Sequence, residues 1–158
     1  MKRSIKRGLG FGLTSGIITT LGLMIGLYSS TNSRMIILSG IFLIAVADAF
    51  SDALGIHIST EFENSKLKKG IWEATFSTFL SKLVFALTFV IPVLLFELKT
   101  AMIISVIWGV LLISILSFYI SKKSNHSPLR IILEHLILTI FVIVVTYYLG
   151  LLFNGLGA

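Results

Sequence analysis

Five runs of apolar residues occupy most of this chain, over approximately 8–29, 35–58, 70–96, 101–121 and 131–153. Each is close to or above the roughly 20 residues that a helix needs to cross the hydrocarbon core of a bilayer. Nothing in that core bonds to a free backbone amide, so runs of this kind are confined to helices, which satisfy their own N–H and C=O groups. The expected fold class is therefore all-α: a polytopic membrane protein with five transmembrane helices in a single domain, 1–158. The 13% charged fraction and mean hydropathy of +1.00 agree, since soluble domains carry about 25% charged residues. The connections are short. The longest, STEFENSKLKK from Ser59 to Lys69, is charged enough to be an interfacial turn or a helical extension of the second span.

The 13 Lys and Arg residues outnumber the 7 acids, giving a formal charge of +6. They lie almost entirely between the apolar runs, as orientation signals and not as a patch for nucleic acid. Lys2, Arg3, Lys6 and Arg7 precede the first run; Lys66, Lys68 and Lys69 fill the second loop; Lys122, Lys123 and Arg130 fill the fourth. Only Arg34 and Lys99 fall on the opposite side, which places the N-terminus in the cytoplasm and the C-terminus outside, in a multi-pass protein of the cell membrane. The start MKRSIKR also resembles the basic region of a signal peptide, but a run of about 22 apolar residues exceeds the usual 7 to 15 and no small-x-small site follows, so the first helix is expected to stay. The chain has no cysteine, which excludes disulfides, thiolate metal sites and iron–sulfur ligation.

Asp48 and Asp52 interrupt the second run near its middle. Insertion scales charge a central aspartate about 2.5–3.5 kcal/mol, so such residues persist where a partner or a wet cavity meets them. At about 100° per residue, Asp48, Asp52, Gly55, Ser59 and Glu63 fall within a sector of about 80°, an oxygen-rich strip on one helical face. Carboxylates suit hard and borderline divalent cations, Mn²⁺ and Fe²⁺ among them. Two uses are open: a cation path, or helix-to-helix glue with the acids protonated or paired with Lys82 of the third span. His57 and Glu61 form a second i, i+4 pair on the opposite side, open to metal ligation, solvation or a phospholipid contact. Glu61 and Glu63 together form an acidic mouth that would gather cations.

The first span carries Gly12 with Gly16 and Gly22 with Gly26 at the GxxxG spacing. Gly8, Gly12, Ser15, Thr19, Gly22 and Gly26 share a side, a surface for close helix packing either within the chain or across a two-fold axis. Met24 offers a weak thioether ligand or, more simply, core filling. Glu73 stands near the start of the third span, and Pro92 is expected to bend its outer third. Glu134 and His135 open the fifth span, suited to surface exposure or to a proton relay. No nucleophile constellation, phosphate loop or dinucleotide fingerprint is present, so no enzymatic activity is expected.

The stretch FGLTSGIITTLGLMIGL (Phe11 to Leu27), then SGIFLIAVADAFSDALGIHISTEFE (Ser39 to Glu63), and a third span opening on small and aromatic residues after a charged turn together resemble the vacuolar iron transporter family. That resemblance implies five membrane helices, a cytoplasmic N-terminus, a dimer, and exchange of Fe²⁺ or Mn²⁺ for protons. The family reads FGLSDGL where this chain reads FGLTSGI, so Ser15 stands at its intramembrane aspartate. Its second-helix pattern AEIAAGSISMGLGGYLA, aligned on Leu54 and Gly55, puts a methionine at Asp52 and a glutamate near Ile44. The family's long cytoplasmic metal-binding helices shrink here to STEFENSKLKK, leaving Glu61, Glu63 and Glu73.

The expected function is a divalent cation transporter for Fe²⁺ or Mn²⁺, with proton-coupled efflux through a homodimeric bundle. The expected metal ligands are Asp48, Asp52, Glu61 and Glu63, with Ser15, Met24, His57, Glu73 and Lys82 as auxiliaries. The metal is cargo, and no permanently bound cofactor is expected. Two copies would bring four carboxylates together, which could not all stay ionised when empty, so that metal entry would release protons. The alternative is a non-transporting membrane protein that keeps the fold for assembly or partner binding. Contact between Lys82 and the aspartate face favours that alternative.

Overall fold

The computed structural model describes residues 2–63, 66–124 and 127–156. Among these, the helices are α1 (Arg3–Thr31), α2 (Arg34–Glu63), α3 (Lys68–Thr88), α4 (Val90–Leu95), α5 (Leu98–Ser124) and α6 (Pro128–Leu156). α3 and α4 form one broken rod, so five helical stretches are long and apolar enough to cross a membrane. The helices run several residues past the apolar limits. α1 begins at Arg3 and α2 ends at Glu63, because polar helix ends keep their backbone bonds where water is available as well as where it is not.

The break lies where Pro92 demands it. A proline has no N–H and its ring crowds the carbonyl four residues back, here that of Thr88, the last residue of α3. Phe89 absorbs the change at φ −73, ψ −13, and its N–H turns to Ala86 O at 3.2 Å. At the α1–α2 turn Asn32 takes the left-handed conformation, φ 47, and its N–H closes on Tyr28 O at 3.0 Å. Asparagine is one of the few side chains that enter this region readily.

α1 is the axis of the bundle, packing against α2, α3, α5 and α6. Its N-terminal half meets α3 through Gly8, Gly12 and Gly16. A Cβ at Gly8 or Gly12 would overlap the α3 backbone at Ala74 and Thr78, and one at Gly16 would stand 3.0 Å from Lys82 O. Its C-terminal half meets α6, where Gly26 faces Thr146 and Gly150 lies against Gly26 O. The glycine row is thus an intramolecular surface shared between two partners. In lipid, where apolar burial offers no driving force between helices, such close backbone approach would supply the packing.

The core joins Ile17, Leu21 and Met24 of α1 to Ile37 and Ile41 of α2, Phe89, Val93 and, on α5, Ala101 and Ile113. Met24 is wholly buried there, filling space as a core methionine does. α6 is peripheral: 11% of its apolar window is buried, against 50% for α1.

Candidate functional site

The close contact between α1 and α3 has a chemical result. It leaves the Lys82 side chain, 1% exposed, enclosed between α1 and α2. An ammonium has three protons to place and accepts none. Lys82 Nζ donates one to Ser15 Oγ at 2.9 Å and one to Asp52 Oδ2, and stands 2.5 Å from Asp48 Oδ2. The Asp48 contact is one of charge, without hydrogen-bond alignment: Asp48 Oδ2 is buried and has no hydrogen bond.

The cluster sits at mid-height. Asp48 is 14 residues from Arg34 at one end of α2 and 15 from Glu63 at the other, or about 21 Å from either end at 1.5 Å per residue. With all three groups ionised the charge is −2 + 1 = −1, so the cluster is a sink for one further positive charge. Its outer side is open. Asp48 and Asp52 keep 28% and 18% side-chain exposure, and the neighbouring surface of α2 is built from the small residues Ala47, Ser51, Gly55 and Ser59. Nothing lies within 4 Å of a Cβ placed at Gly55.

The other expected ligands go elsewhere. Glu63 is held by the Arg7 guanidinium across α1 and α2, and Glu73 by Lys2 and by Ser4 Oγ at 2.7 Å. Glu61 is exposed. Of Asp48, Asp52, Glu61 and Glu63, only the two aspartates converge, and among the described residues no three His, Asp or Glu side chains come close enough together to hold a metal. The acidic mouth is accordingly a set of ion pairs, with Glu61 outside it.

His57 turns from Glu61 toward α3. Thr75 Oγ1 donates to Ile71 O at 2.8 Å, which leaves it as acceptor for His57 Nδ1 at 2.9 Å. The ring edge also rests on Trp72, centroids 4.9 Å apart. The same arrangement recurs between α5 and α6: Ser117 Oγ donates to Ile113 O and accepts from His135 Nδ1 at 2.7 Å. Each imidazole thus engages a hydroxyl of the neighbouring helix through Nδ1. Glu134 pairs with Arg130 one turn away.

Ser15 is the contact that sequence patterning underweights. It belongs to the small-residue row of α1, where its register with Gly12 and Gly16 was visible, but an alcohol in such a row signals close packing as readily as a polar site. Comparison with protein-family models, with curated proteins and with solved structures finds no match to this chain.

Proposed function

We propose that this chain is a multi-pass protein of the cell membrane, N-terminus cytoplasmic and C-terminus outside, that moves a divalent cation, Fe²⁺ or Mn²⁺ first, in exchange for protons. Asp48 and Asp52 are the ligands, and Lys82 is the internal cation that holds their place in the empty state. The observation that carries the reading is the single buried ammonium shared by two mid-height carboxylates, which leaves one negative charge over. Net charge at membrane depth is costly, so a site close to neutral in each state is favoured. With one carboxyl protonated, the empty site sums to zero: −2 + 1 + 1. With a divalent ion on both carboxylates, zero requires that Lys82 be neutral, so two protons leave for each ion that enters. If Lys82 instead swings to water with its proton, one proton leaves. Export follows from the direction of the family that the first two spans resemble.

A second copy completes the site in this reading. Two carboxylates are few for a divalent ion, the open side of the cluster lies on the small-residue face of α2, and apposition of two such faces brings four carboxylates together.

One observation favours a different reading. Lys82 donates to Ser15 and Asp52 and is held against Asp48 by charge, and a lysine that never leaves makes the cluster a clamp joining α1, α2 and α3 in a protein that assembles or binds partners without transporting. Uptake of Fe²⁺ and Mn²⁺ by purified protein in sealed vesicles, with internal pH followed in parallel, separates the two. Asp52→Asn keeps the shape and removes a ligand charge. Uptake should fall about 10- to 100-fold, the equivalent of one charge-assisted contact, and the accompanying proton flux should fall with it. No uptake by the wild type would leave the clamp as the better account, and wild-type uptake by Asp48→Asn and Asp52→Asn alike would remove the two aspartates from the transport path.

A further inference from the structure

Two hollows adjoin where the N-terminal end of α1 meets the start of α3. One, of about 820 Å³, has Lys2, Arg3, Arg7 and Lys69 in its walls together with Glu63 and Glu73. Four cations against two carboxylates leave +4 − 2 = +2. The two acids are taken by Arg7 and Lys2. Among the described residues no carboxylate lies within ion-pair distance of Arg3 or Lys69, which act on Glu63 and Glu73 only from farther off, so those two carry most of the charge left over. The second hollow, about 590 Å³, shares Lys69 and Glu73 with the first and continues along the outside of α3 between Ile5, Trp72, Phe76 and Leu80. Its walls are almost wholly apolar, and Trp72, Phe76 and Leu80 are all exposed.

A basic recess opening directly into an apolar groove has the two-part chemistry of an anionic phospholipid. We propose that this surface binds one: the phosphodiester lies between Arg3 and Lys69, and an acyl chain lies along Ile5, Trp72, Phe76 and Leu80. Trp72 stands at the junction, where an amphipathic ring suits the boundary between headgroup and hydrocarbon. A neutral zwitterionic lipid fills the groove equally well but brings its own cation into a recess that already has two to spare. A soluble phosphate satisfies the recess and leaves the groove unused. The site rests on the reading that the helices lie in a membrane and is independent of the metal at Asp48 and Asp52.

The test uses the fluorescence of Trp72. The protein is reconstituted into phosphatidylcholine vesicles in which a small fraction of lipid is replaced by brominated phosphatidylglycerol or, separately, by brominated phosphatidylcholine. Subtracting the signal of Trp72→Phe, in which Trp108 remains, isolates Trp72. Each unpaired Lys or Arg near the surface favours an anionic lipid about fivefold, so the brominated anionic lipid should be enriched at Trp72 on the order of tenfold or more over the neutral one. Arg3→Gln combined with Lys69→Gln leaves both Glu63 and Glu73 paired and should abolish the preference. Native mass spectrometry should likewise show a phosphatidylglycerol retained by the wild type and lost from the double variant. Equal, non-zero quenching by the two lipids would overturn the site while leaving membrane insertion intact; no quenching by either would overturn both. A preference that survives the double variant would overturn the roles of Arg3 and Lys69, and a preference erased by millimolar glycerol phosphate would assign the recess to a soluble phosphate.

Discussion

Lys82 is the residue on which the most depends. Removing one member of a buried charge cluster strands the others, at about 3–5 kcal/mol. Lys82→Met, similar in length and without charge, leaves Asp48 and Asp52 facing each other and should lower stability in detergent by about that amount at neutral pH, as read from thermal or denaturant unfolding. Asp48→Asn in the Lys82→Met background should restore part of the loss, because a single carboxylate has no like charge to face, and failure to do so would show that Lys82 acts by packing alone. The pairing was within reach of the sequence, since Lys82 is the one base inside the third run and the two aspartates are the acids inside the second. The partners of the hydroxyls were not. Ser15, Thr75 and Ser117 carry no hydropathy signal, and serine or threonine in a helix most often bonds to its own preceding turn, as Thr75 and Ser117 also do.

Among the elements, α1 and α3 set the geometry of the cluster, and their separation is fixed by absent side chains. Gly10 and Gly12 make the cleanest comparison. A Cβ at Gly10 meets nothing within 4 Å, whereas one at Gly12 overlaps the α3 backbone at Thr78. Gly10→Leu should leave the unfolding temperature within a degree or two of wild type or raise it slightly, leucine being the better helix former. Gly12→Leu should force the helices apart, at about 1–3 kcal/mol or more for overpacking, and should also move Lys82 away from Ser15. Equal effects of the two would remove the close α1–α3 contact. The positions of the five spans were legible because hydropathy over about 20 residues is a strong signal. The break at Phe89 was legible from Pro92. The end of α2 was legible as one of two alternatives, a turn or a helical extension after Ile58: the helix continues to Glu63, where the Arg7 ion pair holds the last turn against α1.

At the scale of the whole molecule, orientation and assembly are the quantities to test. Cysteines placed singly at the exposed positions Lys6 and Lys99 should react with a membrane-impermeant thiol reagent from opposite sides, Lys6→Cys from the cytoplasm and Lys99→Cys from outside. Labelling of both from one side would overturn the charge-based topology. For the proposed dimer, Gly55 is the informative position because its surroundings in the single chain are empty. Gly55→Leu should leave the folded monomer intact and raise the dimer dissociation constant, as measured by native mass spectrometry in detergent or by single-molecule counting in vesicles. Unchanged association would move any two-fold contact away from this face of α2. The arrangement of helices around α1 was the least legible layer. GxxxG spacing announces that another helix comes close without saying which, and the row divides its contacts between α3 and α6.

The order in which the ribosome makes the parts of the cluster would constrain how helices this long and apolar enter a membrane. Asp48 and Asp52 are synthesised before Lys82, and the interval from Asp52, 30 residues, lasts roughly 1.5 to 6 s at about 5 to 20 residues per second. For that time α2 carries two acids and no counter-charge. Entering alone, it would carry both aspartates without a partner, at about 2.5–3.5 kcal/mol each. Waiting in the insertion machinery until α3 arrives, it would pass into lipid as a preformed hairpin with the lysine already between the carboxylates.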